Sequence, residues 1–98
     1  MRIEFVDAGL ERICTDDAPK LGLPFGVIVA ARRRLVQLEA ALDERDLRNW
    51  KSLNYKKLQG RREGQRSIRV NDQYRIVFEI SQDERPAVVR ILEIGDTH

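Results

Sequence analysis

The one imidazole of the chain, His98, stands two residues after Asp96, and several cations upstream could work with it: Lys56, Lys57, Arg69 and Arg75. This set suits RNA cleavage. There the ribose 2′-OH attacks the adjacent phosphorus, a base takes its proton, an acid protonates the leaving 5′-oxygen, and cations stabilise the charged transition state. No metal is needed. Arg75, Arg69, Lys56 and Lys57 supply charge. His98 supplies proton transfer, because imidazole titrates near neutrality, and Asp96 orients it or takes part. The plainer alternative for His98 is a mobile terminus. Other chemistries fit less well. A Cys-His-Asp triad can be written, but Cys14 falls on an apolar helical stripe, where it reads as a small apolar side chain. A single cysteine excludes an internal disulfide. Clusters of His, Cys and acid with metal-ligand spacing are missing from the sequence, so no zinc site is expected. Neither GxGxxG nor GxxxxGK[ST] occurs, so no nucleotide-binding loop is expected. The expectation is an activity without metal or cofactor.

The segment that must position these groups is Leu58–Glu79, a basic loop bracketed by Gly60 and Gly64 and followed by a β-hairpin. Ser67-Ile68-Arg69-Val70 alternates polar and apolar, and Tyr74 to Ile80 alternates again. The three-residue turn Asn71-Asp72-Gln73 sets Val70 opposite Tyr74, Ile68 opposite Ile76 and Arg69 opposite Arg75. One face then carries Ile68, Val70, Tyr74, Ile76 and Phe78 toward a core. The other places two arginines side by side. Like charges directly opposite are destabilising, so an anion belongs between them, and a planar guanidinium matches phosphate well. The alternative is two solvated arginines paired with Glu79 or Glu93.

Charge distribution supports a polyanionic partner. Net charge is only +2. Arg48 to Arg75, however, holds nine Lys/Arg against two Asp/Glu, a local +7, and the rest of the chain holds nine against fourteen, a local −5. A basic stripe beside acidic flanks is the footprint of nucleic-acid binding; a solvated charge run is the alternative. With 98 residues, 42% hydrophobic and 35% charged, the chain fits one globular domain spanning residues 1–98. No apolar run approaches the length of a membrane span, so no membrane partner is expected. Met1-Arg2 leads straight into an alternating strand, as expected without a signal peptide, which favours the cytoplasm.

In chain order, Arg2–Val6 is a first strand. Asp7 caps a helix through about Cys14 with Leu10, Ile13 and Cys14 inward. Thr15–Lys20 is a loop. From Phe25 to about Leu42, Ile28, Ala31, Leu35, Leu38 and Leu42 form one helical stripe. Arg32-Arg33-Arg34 cannot all face one way, so the run reads as helix surface. Asp43–Asn49 is a turn with a short helix, Trp50 and Leu53 pack under the next loop, Tyr55–Leu58 is a second strand, and Ala87–Ile94 is the last. The order predicts α+β: two N-terminal helices packed on a mostly antiparallel twisted sheet.

Residues Leu58, Gly60, Arg61-Arg62-Glu63-Gly64, Ser67-Ile68-Arg69-Val70 and Asn71-Asp72-Gln73-Tyr74-Arg75, with the ending Asp96-Thr97-His98, resemble the HigB-type toxins of the RelE/ParE superfamily. The resemblance spans the chain in element order and is specific over its second half. It implies a RelE-like, microbial-RNase-like fold. It also implies a ribosome-dependent mRNA endonuclease that inhibits translation on the 70S ribosome and is held inactive by a helix-turn-helix (HigA-type) antitoxin. Operator DNA would be met only through that antitoxin. By position, Arg75 matches the arginine on the scissile phosphate, and Asp96 and His98 match the terminal catalytic pair. Lys56 joins the catalytic set, and Arg69, Lys57, Arg61, Arg62, Arg66 and Thr97 would contact RNA.

Three positions depart from the family pattern. Lys56 stands where a histidine is common, Gln59 replaces a lysine, and Thr97 replaces an aromatic that can stack on a base, a contact worth about 1–3 kcal/mol. Two other outcomes are compatible with the same residues. One is a weakened member that only binds RNA, ribosome or antitoxin. The other is a gyrase inhibitor of the ParE branch, which the Asp96/His98 pair disfavours.

Overall fold

The helical stripe between residues 25 and 40 and the period-two strands after residue 65 meet across one apolar layer. The computed structural model describes residues 1–96. Helix α1, Phe25–Ala40, follows Pro24, whose fixed φ suits a helix start. It buries Val27, Ile28, Ala31, Leu35 and Leu38, at the expected spacing. Leu42 does not belong to this stripe. The helix ends at Ala40, Ala41 turns extended and takes the last buried position, and Leu42 is left 86% exposed. The Met1 ammonium fixes that end by donating to the carbonyls of Glu39 (2.8 Å) and Ala41 (2.6 Å), placing a positive charge where the helix dipole is negative. The arginine run is divided as expected: Arg32 donates to the carbonyls of Ile13 and Thr15, and Arg34 to Gln37.

The expected first helix is a short 3-10 turn, Leu10–Cys14. Asp7 does nucleate it, but as a turn, accepting from the Gly9 amide at 2.7 Å. At five residues the segment is too short to form an apolar α-stripe, so Ile13 is buried and Cys14 is exposed rather than inward. A second 3-10 turn, Ala18–Leu21, occupies part of the expected loop and ends at Gly22, whose φ of 73° favours glycine. Helix α2, Glu44–Asn49, is capped by Asp43, which accepts from the amides of Arg45 and Asp46. A single long helix therefore stands where two N-terminal helices were expected.

Five strands form one sheet in the order β1-β5-β4-β3-β2. They are β1 Arg2–Phe5, β2 Lys56–Lys57, β3 Arg66–Arg69, β4 Tyr74–Ser81 and β5 Val88–Asp96. The sheet is mixed: β1 runs parallel to β5, and the other three pairings are antiparallel. The hairpin has the expected register, with Ile68 opposite Ile76 and Arg69 opposite Arg75. The Val70 amide donates to Tyr74, closing the three-residue turn, and the Asn71 side chain accepts from the amides of Gln73 and Tyr74. Ile68, Ile76, Phe78 and Ile91 are fully buried in the cluster that includes α1. Leu53 is fully buried within that cluster and Trp50 is partly buried against it. Between β4 and β5 the register shifts. Val77 pairs with Glu93 but Phe78 pairs with Ile91, leaving Leu92 as the extra residue of a bulge. No helix among the described residues is long and apolar enough to cross a membrane.

Candidate active site

The sheet face turned away from α1 is built row by row. Lys56, Ser67, Val77 and Glu93 are successive cross-strand partners from β2 to β5, and Arg69, Arg75 and Gly95 form the next row. A groove of about 460 Å³ lies over them, lined by Lys56, Arg62, Ser67, Arg75, Glu93 and Asp96 among others. Gly95 lies across from Arg75 in that row, and the space over it is open: a Cβ there would meet nothing within 4 Å.

Arg75 is the centre of this groove. Its Nε donates to Ser67 Oγ at 2.8 Å, and one terminal nitrogen donates to the Asn54 carbonyl and, at 3.4 Å, to that of Ser67. All three acceptors are neutral. Among the described residues no carboxylate lies within ion-pair distance of Arg75, and its Nη1 has no partner. Partial burial, and secondarily the Arg69 charge, lower the pKa of Arg75. The guanidinium is thus held by dipoles in a partly dehydrated place, with no ion-pair partner among the described residues. Asn54 can aim its carbonyl there because it adopts a left-handed backbone, φ 45°, which asparagine tolerates better than most residues.

The other expected site residues separate into two groups. Lys56 lines the groove and is exposed. Arg62 reaches it from the Gly60–Arg62 turn and pairs with Glu93 at 3.2 Å. Asp96 sits at the rim, where its Oδ2 accepts from Gln73 Nε2 at 2.8 Å. Lys57, Arg61, Arg66 and Arg69 are not among the groove residues. Arg69 faces the right way but pairs with Asp72 of the turn; the expected alternatives, Glu79 and Glu93, hold neither hairpin arginine. Lys57 lies on the neighbouring surface by the glycine-bracketed loop. His98 and Thr97 lie outside the described residues. No group of His, Cys, Asp and Glu that could hold a metal ion is found among the described residues.

Arg66 turns inward. Its Nε donates to Glu44 of α2 and to the Tyr55 hydroxyl, each at 3.0 Å, and Tyr55 donates in turn to Glu44. Partial burial opposes ionisation of Glu44, but the hydrogen bonds from Tyr55 and Arg66 outweigh it and lower its pKa. Burial, with the Glu44 hydrogen bond, pushes Tyr55 up to about 12. This network ties α2 to the segment that carries Asn54 and Lys56. Tyr55→Phe should cost about 1 kcal/mol at neutral pH, the usual worth of a hydrogen bond. A raised acid pKa gives stability that is complete below the unfolded value and lost as pH rises through the folded one. The parent should therefore lose stability between about pH 10 and 12, and Tyr55→Phe should lack that loss. Denaturant titrations of both proteins at pH 7 and 11 provide the check.

Comparison with known proteins agrees with this architecture. The family described as the RelE-like toxin of type II toxin–antitoxin system HigB matches residues 3–92. The chain belongs to the HigB-like toxin family. Toxin HigB-1 of Vibrio cholerae serotype O1 is 39% identical over 79 residues, covering 81% of this chain and 83% of that protein. Among solved structures, the YoeB/ParE toxin from Agrobacterium tumefaciens superposes with a TM-score of 0.62 at 10% identity, over 100% of both chains. YafQ from E. coli superposes with a TM-score of 0.62 at 13% identity, over 99% of this chain and 94% of that one. At such identities these two establish the RelE-like fold and nothing finer. The toxin's groove brings together four residues proposed from the sequence, Arg75, Lys56, Arg62 and Asp96, with two that were not proposed as site residues, Ser67 and Glu93, while Asn54, also not proposed, holds Arg75 through its carbonyl. Ser67 could have been found, because the hairpin register puts it on the same face as Arg75.

Proposed function

We propose that this type II toxin is a ribosome-dependent mRNA endoribonuclease that inhibits translation in the cytoplasm without a metal or cofactor. The observation that carries this reading is Arg75, a partly buried guanidinium that lines the groove, is held by neutral acceptors and has no ion-pair partner among the described residues. A phosphate supplies the missing charge, and a planar fork accepts it well. In the proposed reaction the 2′-oxygen forms a bond to phosphorus and the P–O5′ bond breaks. One proton leaves the 2′-OH and one arrives at the 5′-oxygen. Arg75 and Lys56 stabilise the non-bridging oxygens as charge accumulates, and Asp96 with His98 moves the protons. Arg69, Lys57, Arg61 and Arg62 attract the strand, and Thr97 borders the base. Arg66 contributes to this set through the loop it anchors.

The partners of this reading are mRNA, the 70S ribosome and a cognate helix-turn-helix (HigA-type) antitoxin. Operator DNA enters only through the antitoxin. Expression from an inducible promoter, with mapping of mRNA 5′ ends, is expected to show growth arrest and cuts within translated frames. Cuts that persist in untranslated transcripts would contradict ribosome dependence, and arrest without cuts but with gyrase inhibition would favour the ParE branch. The Arg62–Glu93 pair favours one alternative, a binding module. It neutralises a groove cation, leaving Lys56 and Arg75 to carry the excess charge. Binding of mRNA or ribosome without any cuts would establish that alternative.

A further inference from the structure

Among the described residues, Ser67 is the one buried polar side chain, 1% exposed. It stands in β3 on the groove face, opposite Lys56 of β2 and Val77 of β4. Packing alone does not ask for serine there. A Val or Thr fills a buried strand position better, and a buried hydroxyl costs stability unless it is hydrogen-bonded. Its one side-chain hydrogen bond among the described residues comes from Arg75 Nε, at 2.8 Å. Asn54 is as particular. It ends the 3-10 turn Lys51–Leu53 by donating to the Lys51 carbonyl at 3.1 Å, beside the fully buried Leu53. It is the one non-glycine residue with positive φ among the described residues, yet it is exposed. An exposed asparagine fills no core. What this residue type provides at position 54 is the backbone angle, and with it the direction of the carbonyl that accepts from Arg75.

A guanidinium carries five N–H donors in one rigid plane. The bonds to Ser67 and Asn54 use Nε and Nη2, and Nη1 has no acceptor among the described residues. Two held nitrogens fix the plane and therefore the third. The acceptors are neutral, so they hold the group without cancelling its charge. Glu93 shows what an unheld arginine would meet. It pairs with Val77 while Gly95 pairs with Arg75, so it is the diagonal neighbour of Arg75 on the groove face, about 7–8 Å away along the sheet and within reach of long side chains. Arg75 nevertheless stays with Ser67 and Asn54, and Glu93 pairs with Arg62.

We propose that Ser67 and Asn54 are positioning residues for RNA cleavage: together they set the plane of the Arg75 guanidinium before RNA arrives, so that Nη1 meets the scissile phosphate. Their effect is on rate more than on binding. A charge already in place needs no reorganisation as negative charge develops on the phosphate oxygens. Lys56 and the cations of the Gly60–Gly64 loop still attract the strand when Arg75 is misaligned. The inference rests on the cleavage reading proposed above and adds to it two residues that act only through Arg75.

The test is single-turnover cleavage of an mRNA on translating ribosomes, with the full-length toxin varied in concentration. Ser67→Ala should lower the maximal rate about tenfold, the effect of a misplaced catalytic group, and leave the half-saturating concentration unchanged. Ser67→Thr keeps the hydroxyl and should cleave like the parent. Asn54→Gly and Asn54→Val lose the same amide, but only glycine takes the left-handed angle without strain. Asn54→Gly should therefore keep the parental rate, and Asn54→Val should lose about tenfold. In an Arg75→Ala background Ser67→Ala should have no further effect. Thermal melts show which variants are folded at the assay temperature; if Asn54→Val is not, the Ser67 series decides. Parental rates in Ser67→Ala would overturn the proposal and leave the cleavage reading standing, as would an equal loss from Ser67→Ala with and without Arg75. A parent that cuts no translated mRNA would overturn the reading itself, and the proposal with it.

Discussion

Arg75→Ala is expected to lower mRNA cleavage by a hundredfold or more, about 3–4 kcal/mol of transition-state stabilisation, while the protein stays folded. The rate should fall because the positive charge that phosphate would meet is removed from a partly dehydrated groove whose other lining guanidinium, Arg62, is paired with Glu93, while the adjacent Arg69 is paired with Asp72. Stability should change little because Arg75 packs no part of the core cluster. Its burial and the nearby Arg69 charge both work against its ionisation, so its loss also removes an unfavourable term. What remain are three acceptors without this donor, the Asn54 and Ser67 carbonyls and the buried Ser67 hydroxyl, the last a cost of about 1 kcal/mol. Arg75→Lys should recover little, since an ammonium cannot satisfy Ser67 and Asn54 and also present a fork to phosphate. Cleavage assays on translated mRNA, with thermal melts of the same preparations, measure both effects. The companion variant His98→Ala should show a smaller but clear loss. Parental cleavage by both Arg75→Ala and His98→Ala would show that the reaction is carried elsewhere.

The hairpin was legible because the period of a strand is two and its turn was short. Once Asn71-Asp72-Gln73 set the loop, every pairing followed, including Arg69 with Arg75 and the row that contains Ser67. The same alternation places Arg66 on the core face, two residues before Ile68, and the structure shows it there, paired with Glu44 and Tyr55. Counting it with the RNA-facing cations followed its charge and neglected its register. Glu93 was not legible in the same way. Its place in the groove depends on the bulge at Leu92, and nothing in the run Val88–Asp96 marks where an extra residue will be accommodated. The end of α1 was hidden for a different reason. Leu42 continues the apolar spacing, but the Met1 ammonium, from the far end of the chain in sequence, takes the carbonyls of Glu39 and Ala41 and ends the helix before it. Local patterns thus gave the elements and the long-range contacts decided their limits. The relation of β1 to β5, parallel and between opposite ends of the chain, belongs with the second kind.

Lys56 is where the mechanism can be decided. It occupies the groove row with Ser67, Val77 and Glu93, and its side chain is exposed with no ion-pair partner among the described residues. The two residues just before it are both anchored: the Asn54 carbonyl holds Arg75, and the Tyr55 hydroxyl is held to Glu44 and Arg66. A second cation so placed can stabilise the same phosphate from the β2 side. Lys56→Ala should therefore slow cleavage by about tenfold to a hundredfold, the scale of losing one electrostatic contact to a developing charge. Lys56→Arg keeps the charge on a side chain of similar reach and should stay within about threefold of the parent, with an unchanged pH–rate profile. A proton-transfer role predicts the opposite. Arginine does not release its proton in this range, so Lys56→Arg would then fall as far as Lys56→Ala and the profile would lose one limb. Single-turnover cleavage of the parent and both variants between pH 6 and 9 separates the two roles, and failure of Lys56→Arg would move Lys56 from the phosphate to the proton.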